Sequence, residues 1–341
     1  MRLIGILAAN YQIFSGSLVF ANTYLIYMKV VFVDYVELMD KHEPHLKSLG
    51  EVTIYNNAPD GEEEIINRIT GAELITASWV SITEKIIKST PSLKYIIVTA
   101  AGYDFVDIKA ATTAGIKVIN CPTHNTLAVA EYTICLILTV TRRIVAANLA
   151  LKNGNWNIQA YIGTELSGKK LGLIGYGNIG RKVAQLATNL GMDVSYANSK
   201  TSPSELDHLI ANADILSLHV PFTIQSKYLI DERRLNLMKK SAYLINTARG
   251  AIVDQLALKT ALKERRIAGA ALDVFANEPI FENELTTDNP SEEILQLTQL
   301  DNVVATPHIA YNTEETAVRL GEELIENIQA CINGSPINVV N

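Results

Sequence analysis

Three kinds of pattern are scarce in this chain, and each scarcity narrows what it can be. Cysteine occurs three times in 341 residues, at Cys121, Cys135 and Cys331. An odd number of widely spaced thiols is no disulfide framework and fits a reducing compartment. Cys121 and His124 make a solitary pair, short of any zinc-type spacing, so no metal is expected. Lys and Arg number 29 against 36 Asp and Glu, a net charge of −7. With no strongly basic run to neutralise phosphates, nucleic acid is not an expected partner. The acidic stretch 282–293 reads as a solvated surface. No apolar stretch reaches the length of an uninterrupted membrane span, so no membrane partner is expected either. Tandem repeats and low-complexity tracts are also missing.

What is present describes a globular protein, with 48% hydrophobic and 19% charged residues. The length is large for one core, so two domains are expected. Residues 1–27 loosely imitate a signal peptide, with Arg2 before Leu3-Ile4-Gly5-Ile6-Leu7-Ala8-Ala9. Asn10, Tyr11 and Gln12 interrupt that apolar core early. Met28-Lys29-Val30-Val31-Phe32-Val33-Asp34 reads as the first strand of a domain, so 1–27 is expected to be an extension from an upstream start codon. A cytoplasmic location follows from that reading.

The chain is organised around Lys169-Lys170-Leu171-Gly172-Leu173-Ile174-Gly175-Tyr176-Gly177-Asn178-Ile179-Gly180. An apolar run ending in Gly175-x-Gly177-x-x-Gly180, followed by a helical pattern through Leu190, is how a strand turns into a helix around a pyrophosphate. Such a glycine pattern alone is weak evidence. Its context strengthens it: a strand before, a helix after, Gly191 as a helix stop, and a second strand near 194–197, where a ribose-reading residue should follow.

Short apolar runs alternate with helical patterns along the whole chain. Strands are expected at 29–34, 52–55, 74–76, 95–98 and 117–120, then before Gly175 and at 215–218, 242–246, 269–274 and 302–305. That alternation predicts parallel sheets with helices on both faces. One long helix is expected from Thr126 to about Lys152, its start marking the domain boundary. The tail, 314–332, reads as one amphipathic helix whose length and position suggest a return to the first lobe. The expected domains are therefore 28–124, completed by 310–341, and 125–309.

Three polar residues stand just after three consecutive strands of the second domain: Arg249, Glu278 and His308. They lie about thirty residues apart, the length of one βα unit. In an open parallel sheet ligands bind outside the carboxyl ends of the strands, so this spacing brings the three to one crevice. A guanidinium can grip a carboxylate bidentately, a histidine can pass a proton near neutral pH, and a glutamate can orient that histidine and favour its charged form. Each residue alone has a plainer reading, as a phosphate contact, a turn residue or an incidental histidine. Their joint spacing lifts them above it. Of the other histidines, His42, His45 and His208 are expected in surface helices, His124 near the hinge, and His219 at another strand end.

The segments around Gly175 to Gly180, His219-Val220-Pro221, Asn246-Thr247-Ala248-Arg249-Gly250, Leu272-Asp273-Val274-Phe275-Ala276-Asn277-Glu278-Pro279 and Thr306-Pro307-His308 together resemble the D-isomer-specific 2-hydroxyacid dehydrogenases. The resemblance covers essentially Met28 to Val340. It implies two Rossmann-like, doubly wound parallel-sheet lobes with a cleft between them, usually in a homodimer. It also implies hydride transfer between NAD or NADP and C2 of a small 2-oxo or 2-hydroxy acid, with glyoxylate or hydroxypyruvate the first guess. By that resemblance Arg249 binds the substrate carboxylate, and His308 paired with Glu278 is the acid/base. Asp273 matches the position that holds the nicotinamide carboxamide. Asn178, Ile179, Val220, Pro221, Ser226, Thr247 and Ala248 match other cofactor contacts, while Ala101-Gly102-Tyr103 matches the loop whose N–H groups meet the substrate carboxylate. Trp79, Val80 and Tyr103 are the candidates for reading the substrate side chain.

Two positions depart from the family pattern. Asn198 stands where NAD-preferring members carry an acid, with Ser199 and Lys200 following, which opens the site to NADP. Phe105 replaces a common Asn after Gly102-x-Asp104. Glu278, where formate dehydrogenases carry Gln, argues against that chemistry. The chain ends soon after the expected return helix, which leaves no room for the regulatory domain of long phosphoglycerate dehydrogenases. The competing function is a non-enzymatic, corepressor-like dinucleotide sensor on the same fold.

Overall fold

The computed structural model describes residues 28–278 and 290–341. The expectations for 1–27 and for most of the acidic stretch therefore fall outside the described residues. Among the described residues there are eleven strands: β1 (Lys29–Phe32), β2 (Glu51–Ile54), β3 (Leu74–Ala77), β4 (Tyr95–Val98), β5 (Lys117–Ile119), β6 (Lys170–Ile174), β7 (Asp193–Ala197), β8 (Ile215–Leu218), β9 (Tyr243–Asn246), β10 (Gly269–Leu272) and β11 (Val303–Ala305). Each falls within a residue or two of its expected position, the usual uncertainty of element ends.

The strands form two sheets, ordered β2-β1-β3-β4-β5 and β11-β10-β9-β8-β6-β7. Every pairing between these strands is parallel. Strand order reverses between β1 and β3 in one sheet and between β6 and β8 in the other. Those reversals open the crevices at which a doubly wound sheet binds ligands.

Parallel strands buried on both faces carry continuous apolar runs, and β1 illustrates why. Val31 packs with Ile75, Ile96 and Val118 on one face. Val30 and Phe32 pack on the other face with Leu320, Leu324 and Ile328 of the helix Glu314–Ile332. The last helix of the chain thus closes the first sheet. Each of its three apolar side chains contributes about 1.5–3 kcal/mol when fully buried. The chain end continues the return, with the Val340 N–H donating to the Val118 carbonyl at 2.9 Å.

The connection between the sheets is anchored by a buried acid on that helix. Glu323 accepts the Thr123 hydroxyl at 2.9 Å and the His124 N–H at 3.0 Å. His124 is itself buried, its Nδ1 2.9 Å from the Cys121 carbonyl oxygen. Burial works to raise the Glu323 carboxyl, but the hydrogen bonds from His124 and Thr123 outweigh it and hold the group below the usual carboxylate range.

Two expectations are corrected by tertiary structure. The single helix expected from Thr126 to Lys152 is two helices, Thr126–Thr141 and Ile144–Lys152, bent by 61°. No Gly or Pro marks the break. Arg143 adopts the left-handed backbone (φ 54°) there, and its guanidinium donates to the Ala160 carbonyl at 2.8 Å. The Thr164 N–H caps the Thr141 carbonyl at 3.0 Å, so contacts from the segment well downstream, at Ala160 and Thr164, end the first helix. His42, expected on a surface helix, is buried with its ring packed against Gly321, where a Cβ would overlap it. A glycine on the return helix makes the space, which local periodicity does not reveal.

The Glu323 anchor predicts a stability effect. Glu323→Ala leaves the donors of Thr123 and His124 without their acceptor and should cost about 2–4 kcal/mol at neutral pH. Because the folded carboxyl is depressed, its contribution is present above the ordinary carboxylate value and lost as pH falls through the lowered one. The urea midpoint of the variant should lie below wild type at pH 7, and the gap should close in acid. Equal midpoints at pH 7 would show that the anchor carries no stability.

Candidate active site

The carboxyl ends of both sheets face one cleft of about 540 Å³. Asn246, at the end of β9, is buried, and its side chain shapes the loop beyond it. Its carbonyl accepts the Ala248 N–H at 3.0 Å and its amide donates to the Arg249 carbonyl at 2.9 Å. Gly250 then lies so close to the Phe275 backbone that a Cβ would overlap it. Arg249 is thereby turned toward the first lobe. Its Nε donates to Asp104 at 3.1 Å, and its guanidinium lies against Gly102, again with no room for a Cβ.

The loops after β10 and β11 are joined by Asp273, which is fully buried. One of its oxygens accepts the Thr306 hydroxyl at 2.6 Å and the Ile309 N–H at 3.0 Å, and the other accepts the Ala310 N–H at 2.9 Å. Its backbone carbonyl takes the His308 N–H at 2.8 Å. His308 sits at φ 56°, a left-handed conformation that a histidine adopts only when its surroundings enforce it. In that pose Nδ1 meets Glu278 at 2.7 Å, and the other Glu278 oxygen accepts the Phe275 N–H at 2.8 Å. Nε2 has no hydrogen-bond partner among the described residues. Burial tends to raise the Glu278 carboxyl, but the hydrogen bond and charge of His308 prevail and hold it below the usual range.

His219 also lines the cleft, yet burial pushes its pKa down to about 4. It stays neutral at pH 7, its Nε2 2.9 Å from the Ser217 hydroxyl, and serves as a wall. Of His219 and His308 only His308 has a carboxylate partner; the third histidine on the wall, His124, is buried with its Nδ1 3.5 Å from Glu323.

The glycine turn fits a dinucleotide. Gly175 (φ 102°) lies so close to the His219 carbonyl, and Gly180 so close to the Gly175 carbonyl, that neither could carry a side chain, while nothing lies within 4 Å of a Cβ placed on Gly177. The helix Asn178–Asn189 starts there and offers its unpaired N–H groups. Gly177, Asn178, Ile179, Val220, Pro221, Thr247 and Ala248 all line the cleft with Arg249, Asp273, Glu278 and His308. Ser226 is buried beside it, donating to the Pro221 carbonyl at 2.8 Å and so closing that turn. Asn198, Ser199 and Lys200 form an exposed turn after β7, where the Asn198 side-chain oxygen accepts the Lys200 N–H at 2.9 Å.

From the first lobe Trp79, Ala101 and Gly102 line the cleft, whereas Tyr103 and Val80 pack against that lobe's own core. The sequence reading assigned no role to three residues here. Asp34, buried at the crevice between β1 and β3, accepts the Ser78 and Trp79 N–H groups at 3.0 and 2.7 Å and so fixes the Trp79 loop. Burial raises its pKa to about 6 against the pull of those hydrogen bonds. Tyr311 stands edge-on to His308, with ring centroids 6.1 Å apart, and Glu37 lies on the same wall. An acid ending an apolar run was the only visible sign of Asp34.

The arrangement can grip a carboxylate, deliver or accept a proton, and bind a dinucleotide. Known proteins match it. The family model described as "D-isomer specific 2-hydroxyacid dehydrogenase, NAD binding domain" matches residues 134–310. A glyoxylate reductase from Thermofilum pendens is 39% identical over 315 residues, covering 87% of this chain and 90% of that protein. A D-3-phosphoglycerate dehydrogenase from Methanocaldococcus jannaschii is 36% identical over 309 residues, covering 87% of this chain but only 56% of that protein. Among solved structures, an NADPH-dependent glyoxylate/hydroxypyruvate reductase from Sinorhizobium meliloti, in complex with NADP and malonate, superposes with a TM-score of 0.78 at 26% identity, covering 92% of this chain and 96% of that one. A doubly wound pair of sheets, a dinucleotide turn and likeness along nearly the whole chain thus lead to one conclusion: the chain belongs to the D-isomer-specific 2-hydroxyacid dehydrogenase family.

Proposed function

We propose that this member reduces glyoxylate or hydroxypyruvate to the corresponding 2-hydroxy acid with NADH or NADPH. The observation that carries the reading is the meeting of Arg249 with the hydrogen-bonded Glu278–His308 pair in one cleft. The names of the Thermofilum and Sinorhizobium relatives support the choice of substrate. In this reading the first sheet, with the return helix, is the substrate lobe and the second is the dinucleotide lobe.

Arg249 grips the substrate carboxylate and polarises its 2-oxo group, with backbone groups of Ala101 and Gly102 completing the carboxylate site. Nicotinamide, when bound, supplies the hydride to C2. His308 gives a proton to the carbonyl oxygen as it gains charge, and Glu278 keeps the imidazole oriented and favours its charged form. Asp273 holds the loop on which His308 stands. The turn Gly175 to Gly180 holds the pyrophosphate. At the ribose end Asn198 has no negative charge to repel a 2′-phosphate and Lys200 adds a positive one, which supports use of NADPH.

A homodimer belongs to the same reading. The helix Ile144–Lys152 has no buried residue, and with the segment after it exposes a set of large apolar side chains, including Leu149 (58% exposed) and Trp156 (79%). Isolated exposed apolar residues need no explanation, but a cluster of this kind marks an interface.

Three outcomes check these proposals. Nicotinamide oxidation should be measurable with glyoxylate or hydroxypyruvate and with either cofactor, while Arg249→Lys, which lacks the planar fork, should lose roughly 100-fold in kcat/KM. Near-normal turnover of that variant would remove Arg249 from the mechanism. A pure dinucleotide sensor would show no turnover at all.

The second concerns pH. Glu278 titrates below the usual carboxylate range, so it is ionised through neutral pH and the pair is lost only as pH falls through that lowered value. In Glu278→Gln the partner charge is gone and imidazolium is less favoured. The alkaline limb of kcat/KM for reduction should move to lower pH, and oxidation of the hydroxy acid should begin its rise earlier. Unchanged limbs in both directions would uncouple Glu278 from the proton.

Third, sedimentation should give twice the chain mass at micromolar concentration, and Leu149→Asp with Trp156→Asp should give a monomer. A monomeric wild type would refute the interface.

A further inference from the structure

The carboxylates of the cleft are not equivalent. Asp273 spends both oxygens on the loop after β11, Glu278 is engaged by His308 and Phe275, and Asp104 accepts from Arg249. Glu37 differs. It stands on the loop after β1, half-buried on the cleft wall, with no hydrogen bond or ion pair to any described residue. Its neighbours place it at the substrate end. Its charge reaches Tyr311 and Tyr35, and burial together with Glu37 raises both tyrosine hydroxyls above their ordinary range. Tyr311 packs in turn against His308 and Trp79, at 6.1 Å between ring centroids in both cases.

Against these acids the cleft wall holds, among the described residues, one permanent cation, Arg249. That cation is committed to the carboxylate beside the 2-oxo group. A second anionic group on the substrate would find no guanidinium or ammonium among the lining residues and would meet an unpaired carboxylate in a partly desolvated site, where like charges repel strongly. A hydroxyl would instead give Glu37 the hydrogen-bond donor it lacks.

We propose that Glu37 is a specificity-determining residue of this cleft: its carboxylate selects 2-oxo acids whose distal group donates a hydrogen bond and excludes those bearing a second anion, whether phosphate or carboxylate. The inference rests on the reading of the cleft as a 2-oxo acid reductase site.

The test measures kcat/KM for glyoxylate, hydroxypyruvate, 3-phosphohydroxypyruvate and oxaloacetate with wild type and Glu37→Gln. Glyoxylate has no group beyond C2 and is the internal reference. In wild type, 3-phosphohydroxypyruvate and oxaloacetate, which both carry a second anionic group, should fall at least 100-fold below hydroxypyruvate. In Glu37→Gln, which keeps the shape and removes the charge, the ratio of each of these two substrates to glyoxylate should rise at least tenfold, with Glu37→Lys raising it further. Ratios that stay at their wild-type values in both variants would overturn the role of Glu37 while leaving the reductase reading intact. Failure of wild type to reduce any of the four would overturn both.

Discussion

The buried carboxylate of Asp273 is the contact on which the site depends. Three donors from the loop after β11 converge on its two oxygens, and its own carbonyl takes the His308 N–H. Hydrogen bonds to a buried charge are strong, so together they outweigh the modest cost of a left-handed histidine. That backbone pose brings Nδ1 onto Glu278. The pairing of His308 with Glu278 is thus a consequence of how two neighbouring strand ends are tied, and Asp273 is a support beneath His308.

The first lobe repeats this logic at its own crevice. Asp34, at the end of β1, accepts the N–H groups that follow β3 and sets Trp79 against His308 and Tyr311. In both lobes a buried acid at a strand end spends its charge on backbone N–H groups and so fixes a loop that lines the cleft. A third buried acid, Glu323, ties the return helix to the connection between the lobes. Arg249 and Gly102 then meet across the cleft in a fit that leaves no room for a side chain on the glycine.

The electrostatics of the cleft follow from the same economy of charge. Most of its acids are used up by hydrogen bonds, and burial keeps His219 neutral. What remains available among the described residues is the Arg249 guanidinium, His308 with Glu278 behind it, and Glu37, which has no partner there. A site so composed suits a small anionic substrate, and the start of the helix Asn178–Asn189 suits the phosphates of a dinucleotide.

The sequence by itself determined the two parallel sheets, the dinucleotide turn and the trio Arg249, Glu278 and His308. These are legible because strand periodicity, glycine spacing and the βα repeat length are local properties, and parallel topology sends every strand's carboxyl end to the same side. Tertiary structure alone decided the rest. The break at Arg143 is enforced by Ala160 and Thr164, the burial of His42 by the space at Gly321, and the turning of Tyr103 and Val80 toward their own core by the packing of the first lobe. Asp273 matched a cofactor position in the chain, yet its oxygens are occupied by residues more than thirty positions away, and Glu37 stands out only because every other acid on the cleft wall has a partner. Such features depend on which groups meet across the fold, and hydrogen-bond saturation and burial are properties of an assembled neighbourhood that no window of sequence contains.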